Sequence, residues 1–334
     1  MFKQAIQALL IASMGWSSTV GATPSGKPEN TPGLWTPASI QAWKKQRRNW
    51  GRWGAEDQLG TANLITPAKR KEAVKLVREG VSVSLAHTLE THEAPDVPSP
   101  LVHEMIAHGE APTSTYAADR LDLGYHGWSH THLDALCHVF DEGRTYNGHA
   151  QSKVDSKGCS VLSVNGMRDG LLTRGVLIDM AAFKGVPYLE PGTPIHASDL
   201  EAWERKHKVK VTSGDAVIVR TGRWARRAAV GPWNVSAQSP GLHASSAEWF
   251  AARGVAVVAT DVGLDVIPSG VDGMLVPVHV MLIAALGVHV IDNADLEALA
   301  KAASSRGRYD FLLSVAPLAV EGGTGSPVNP IATF

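Results

Sequence analysis

The sequence predicts an α/β fold, and three observations point there. Short apolar, β-branched runs bounded by turn residues recur along the chain. Helix-length segments with identifiable start signals lie between them. The 32 glycines and 19 prolines are spread throughout, as many turns between short elements require. With 44% hydrophobic residues and 10 tryptophans, the 334-residue chain can bury a large core, and length alone permits one large domain or two smaller ones.

The first element is not part of the fold. Lys3 precedes a mostly apolar run over 5–16, and Val20-Gly21-Ala22 offers a small-residue cleavage site, so 1–22 reads as a secretory signal peptide. An uncleaved anchor or an ordinary helix is the competing reading. Residues 23–34 follow as a polar, proline-rich linker, leaving 35–334 as the folded domain in a periplasmic or secreted protein. Nothing later is long and apolar enough to span a bilayer, so no membrane partner is expected after signal cleavage.

Residues 35–63 are rich in Trp, Arg and Gly. Thr66 can cap a helix that opens with Pro67, runs to about 78 and closes at Gly80, and 81–85 follows as a short strand. Residues 90–125 read as a long polar loop of the kind that often covers an active site. Buried strands are predicted at 160–164, 175–179, 216–220, 255–261, 288–291 and 311–315. Capping boxes at Ser198/Glu201 and Ser245/Glu248 predict helices over 200–206 and 247–253; Pro277 opens one to about 286, and 295–303 is another.

Between the loop and these strands lies His126-Gly-Trp-Ser-His-Thr-His-Leu-Asp-Ala-Leu-Cys-His138. His126, Trp128, His130, His132, Asp134 and His138 occupy even positions, and the odd positions are small or apolar. In a strand, a period of two puts the polar set on one face. A row of imidazoles with one carboxylate is ligand chemistry for a borderline divalent ion such as zinc or manganese. A strand advances about 6.6 Å per two residues, so neighbours can share an ion while the ends of the row cannot. His132 and Asp134 are the central pair, and His138 is left over as an acid–base candidate. A surface strand that happens to be histidine-rich is the bland alternative; five ionisable groups of ligand type weigh against it.

Other chemistries are excluded. The 32 acidic and 31 Lys+Arg residues argue against a nucleic-acid partner. No dinucleotide or Walker motif occurs, and no Gly-x-Ser-x-Gly nucleophile elbow. Cys137 and Cys159 are too few for a cysteine-based structural zinc site. They could pair in an oxidising compartment, but Cys137 lies inside the histidine row, and two buried thiols are the favoured expectation.

The segment Thr131-His-Leu-Asp-Ala-Leu-Cys-His138 resembles the core of the His-x-Gly-Thr-His-x-Asp-x-Pro-x-His signature of the metal-dependent cyclase family, which includes bacterial kynurenine formamidase, isatin hydrolase and more distant lactone hydrolases. Trp53-Gly-Ala-Glu-Asp-Gln-Leu-Gly-Thr-Ala-Asn-Leu-Ile-Thr-Pro67, Tyr146-Asn-Gly148, Pro240-Gly-Leu-His243, Val290-Ile-Asp-Asn293 and Gly322-Gly-Thr-Gly-Ser-Pro-Val-Asn-Pro330 resemble other segments of its longer members. The resemblance implies a swivelling β/β/α fold in one domain, commonly in homo-oligomers. It implies His132 and Asp134 as metal ligands and His138 as general base and acid. It also implies a second ligand pair, His279 and Asp292, the latter standing where the family usually has glutamate. The sequence departs from the signature in having Trp128 for its first histidine, His130 for its glycine and Leu136 for its proline. His130 is expected to supply the missing imidazole, with His126 the alternative.

The function these readings imply is a metal-dependent hydrolase holding one or two zinc or manganese ions. Its substrate would be a small molecule: a cyclic amide, a lactone or an aryl formamide. Trp53, Trp128, His103 and His108 are candidate pocket walls. A metal-assisted lyase or dehydratase, and a non-catalytic periplasmic metal- or ligand-binding protein, are the rival readings.

Overall fold

A computed structural model describes residues 35–334; the expected signal peptide and linker lie outside the described residues. Its centre is a nine-stranded sheet, whose strands in chain order are β1 (Ser82–Ser84), β2 (His132–Asp134), β3 (Leu171–Asp179), β4 (Ala216–Arg220), β5 (Val257–Thr260), β6 (His289–Asp292), β7 (Asp310–Val315), β8 (Gly325–Pro327) and β9 (Ile331–Thr333). They lie in the order β1-β9-β7-β3-β4-β5-β6-β2-β8. The mixed sheet curls into a half-barrel within a single α/β domain.

The four central strands, β3 to β6, are parallel. Parallel strands need long crossovers, and helices supply them: Ala197–His207 between β3 and β4, Arg223–Val230 and Ser246–Arg253 between β4 and β5, and 277–286 between β5 and β6. Covered on both faces, β4, β5 and β6 are buried at every position, which is why they read as continuous apolar runs rather than alternating ones. The flanking strands pair antiparallel.

Most predicted elements stand, with shifted ends. Thr66 Oγ1 accepts from the Lys69 amide and caps Pro67–Val74, which stops short of 78. The box expected at Ser198/Glu201 falls two residues earlier, where the His196 amide donates to Asp199 Oδ2 at 2.9 Å. Ser245 precedes its helix without a side-chain cap bond, and Glu248 instead accepts from the Trp43 indole. The helix opened by Pro277 widens to π-type turns over Val280–Leu286.

Three expectations fail. Residues 160–164 form no strand: Leu162 takes a left-handed φ of 60°, and Val164 begins a short 3-10 turn. Leu162 and Val164 are core, but the backbone amides of 160, 162 and 164 go to Lys153 O, the Gln58 side chain and Gly323 O rather than to one neighbouring strand. The loop at 90–125 contains an exposed hairpin, Val102–Ala107 against Ala118–Asp122. Cys137 and Cys159 are joined in a disulfide, their Cα atoms 6.4 Å apart, because the fold returns residue 159 to the turn that follows β2. No helix among the described residues is long and apolar enough to cross a membrane.

Candidate metal centre

Strand β2 is three residues long, and its alternation does what the sequence expects. His132 and Asp134 share one face, and Leu133 points the other way into the core with no exposed surface. The ladders on either side fix the register. Asp292 on β6 lies opposite His132, and Pro327 on β8 lies opposite it from the other side. Directly opposed residues of an antiparallel pair project to the same face, so the register carries Asp292 to the site.

The rest of the predicted row is not strand. Gly127 takes a φ of 120°, and residues 126–130 form bends held by side chains: Asn293 Nδ2 donates to Gly127 O at 2.8 Å, and Thr131 Oγ1 donates to Asn293 O at 2.8 Å. Strict alternation therefore breaks down upstream of β2. His130, expected in the ligand set, is turned away, its Nε2 set 3.1 Å from Ser99 O. His126, the alternative, returns to the site with Nδ1 3.2 Å from Asp134 Oδ1. Beyond β2 the chain turns, the His138 amide donating to Ala135 O at 3.0 Å. That turn brings His138 Nε2 to 3.8 Å from Asp134 Oδ1 and stacks its ring on His126 with centroids 4.0 Å apart.

His279 enters from the helix after Pro277. Its Nε2 lies 3.2 Å from Asp292 Oδ2 and 4.0 Å from Asp134 Oδ2. Its Nδ1 lies 2.6 Å from Asp265 Oδ2, and Asp265 also accepts from the amides of Val278 and His279. His132 is anchored similarly, its Nδ1 2.8 Å from His130 O, which leaves Nε2 facing Asp134 at 3.5 Å.

Two clusters of ligand atoms result, each within 4.8 Å: His126/His132/Asp134 and Asp134/His279/Asp292. Asp134 belongs to both. His126 Nδ1, Asp134 Oδ1 and Asp292 Oδ1 are buried and have no hydrogen-bond partner. Buried polar atoms without partners are costly, and three within these two clusters fit a cation as the missing partner. The shorter reach of Asp292 relative to glutamate does not keep it from the second cluster.

The charge balance agrees. Burial opposes ionisation of Asp134, but the imidazoles of His138, His126, His132 and His279 outweigh it and hold the carboxyl well below the usual range. Burial also works against a charged His279, yet Asp292 and Asp265 raise its pKa well above the ordinary value. Burial raises Asp265, with His279 pulling the other way. At His138 burial prevails over the pull of Asp134 and lowers the pKa.

The cavity above these groups measures about 170 Å³ and is walled by Trp128, Val139, Gly263 and Val276. The Trp128 ring lies against Gly263, where a Cβ would come within 2.4 Å of it. Of the four expected wall residues only Trp128 is there. Trp53 lies outside, with the Arg52 guanidinium 4.6 Å from its ring centroid. His103 pairs with Asp119 on the exposed hairpin, and His108 faces Glu110. Both are exposed, His103 on a paired strand and His108 just past its end. Asp265, Gly263, Val139 and Val276 were not anticipated; the one available signal was that 261–265 follows the carboxyl end of a predicted strand, where α/β sheets place their sites.

Comparison with known proteins accords with this arrangement. A family model described as putative cyclase matches residues 71–266. The crystal structure of a novel cyclase is similar at 32% identity, over 87% of this chain and 99% of its own, with a TM-score of 0.77. An isatin hydrolase bound to the product analogue thioisatinate shares 21% identity over 76% of this chain and 92% of its own, with a TM-score of 0.54. Isatin hydrolase A from Ralstonia solanacearum shares 22% over 75% and 91%, also at 0.54; these two likenesses are of fold. No curated protein matches the chain. Because the family model spans more than half of the sequence and the first of these structures shares its fold at this identity, the chain belongs to the cyclase family.

Proposed function

We propose that the protein is a metal-dependent hydrolase that opens a small cyclic amide or lactone, or cleaves an aryl formamide. The observation that carries this reading is the pair of buried ligand-atom clusters that share Asp134, with unpartnered oxygens on Asp134 and Asp292 at one cavity and a further imidazole, His138, lining it. His126, His132 and Asp134 would hold one ion, and Asp134, His279 and Asp292 a second, zinc or manganese suiting such nitrogen and oxygen donors. A divalent cation, when bound, lowers the pKa of water to about 7 and polarises a carbonyl.

The chain's own residues supply the rest. His138, 32% exposed at its side chain, takes a proton at Nε2 as the water oxygen bonds to the carbonyl carbon. It returns that proton to the nitrogen or oxygen whose bond to the carbon breaks, leaving a carboxylic acid product. Its lowered pKa keeps the imidazole neutral and ready to accept at neutral pH. Trp128, Val139 and Val276 give the substrate an apolar wall and shield the site from bulk water.

The same reading places the enzyme outside the cytoplasm, residues 35–334 forming the hydrolase domain. The Cys137–Cys159 disulfide supports export, since such bonds persist in oxidising compartments. Exposed Val102, Ile106 and Leu121 on the hairpin support a homo-oligomer.

Elemental analysis of protein purified without chelator should find one or two equivalents of zinc or manganese, most of it lost in Asp134→Ala. Isatin-, lactone- and formamide-type substrates should be turned over with ¹⁸O from solvent entering the product carboxylate. Turnover without that label would assign a lyase, and metal-loaded protein inert on every substrate would assign a binding protein.

A further inference from the structure

We propose that Thr324 is a positioning residue of the metal centre: its hydroxyl holds the His126 ring with Nδ1 turned toward Asp134, and Gly325 leaves the space that ring occupies. This rests on the metal-centre reading above and extends it to the carboxyl-terminal segment, 198 residues further along the chain.

Each imidazole of the centre is fixed from behind by a different partner. His132 sits in a ladder and has the His130 carbonyl behind it; His279 sits on a helix and has Asp265 behind it. His126 lies outside regular structure, with the next residue, Gly127, at φ 120°, and the rings of Tyr125 and His138 pack on its faces without fixing the rotation of the imidazole about its own axis. An imidazole that serves a cation through Nδ1 carries its proton on Nε2, and that N–H needs an acceptor. Thr324 Oγ1 lies 2.9 Å from His126 Nε2.

The hydroxyl is itself held in place. Thr324 O accepts from the Ala135 amide at 3.0 Å, and Gly325 follows on β8, opposite Asp134. The same ladder that sets the register of the ligand strand therefore sets the height of the hydroxyl. A Cβ at Gly325 would fall 2.9 Å from His126 Cε1 and 2.6 Å from Leu133 O, so a glycine is required for the ring and the strand to lie this close. On the other side, the Tyr125 ring packs 4.6 Å from that of His126 while its hydroxyl donates to Gly325 O at 2.9 Å. Outer partners of this kind are worth about 10–100-fold in metal affinity.

The test measures Zn²⁺ affinity of metal-stripped full-length protein by competition with a chromophoric chelator. Thr324→Val keeps the shape and removes the acceptor; it should bind Zn²⁺ about 10–100-fold more weakly than wild type, while Thr324→Ser stays near wild type. In a His126→Ala background Thr324→Val should cost nothing further, because the two act as one unit. Should Thr324→Val not fold by circular dichroism, Thr324→Ala carries the same expectation. Wild-type affinity in the valine variant, an equal loss in the serine variant, or a full further loss in the His126→Ala background would overturn the assignment while leaving the metal centre intact. Wild-type protein that takes up no Zn²⁺ or Mn²⁺ would overturn both.

Discussion

Removing the disulfide tests the link between the fold and the site in a way the geometry allows to be sized. Cys137 is fully buried, Cys159 nearly so, and they are 22 residues apart in sequence. Closing a loop of that length removes about 3.4 kcal/mol of denatured-chain entropy at 25 °C. For a domain of this size that corresponds to a fall in Tm of about 5 °C in Cys159→Ala. Deleting one sulfur leaves little space, so the loop term dominates. The bond also anchors the turn that carries His138, the next residue, so turnover should fall more than metal content does. Differential scanning calorimetry on oxidised wild type, reduced wild type and Cys159→Ala reads the first expectation, and the reduced protein should match the variant. Alkylation of non-reduced, denatured wild type should add no label. Two alkylated thiols, or a variant with the Tm of oxidised wild type, would refute the reasoning.

Three further outcomes follow from the site. His138→Ala should keep its metal and lose about 10²–10⁴ in turnover, the usual worth of a positioned acid–base group. Because the neutral imidazole is the working form, wild-type activity should rise with pH through a pKa below the ordinary 6.5 and level off above it; a profile in which that limb survives the substitution would assign the proton transfer elsewhere. His126→Ala should weaken metal binding strongly by chelator competition and His130→Ala should not, since only the first ring faces Asp134; the reverse order would restore the ligand set expected from strict alternation. Gly263→Ala should push the Trp128 ring into the cavity and raise KM with metal content unchanged, and the effect should disappear in a Trp128→Ala background, where no ring is displaced.

The sequence by itself determined the elements whose cause is local. Runs such as 216–220 are buried parallel strands because nothing but a β-branched apolar run suits a strand covered on both faces. His132 and Asp134 were readable as a pair because alternation holds wherever the backbone is extended, and His279 and Asp292 because the chain resembles its family. What only the tertiary structure decided is everything that depends on where extended backbone begins and ends. β2 is three residues long because β6 and β8 pair with it over those residues and no more. Upstream of them Gly127 and the Asn293 contacts bend the chain, which turns the His130 ring toward Ser99 O and the His126 ring toward Asp134 and makes the expected row a loop. The partners of the rings are equally remote from local pattern: Asp265 behind His279, Thr324 behind His126, Cys159 bonded to Cys137. Each is a contact between segments far apart in the chain, set by strand register and helix docking, and no local periodicity encodes the distance between two such segments.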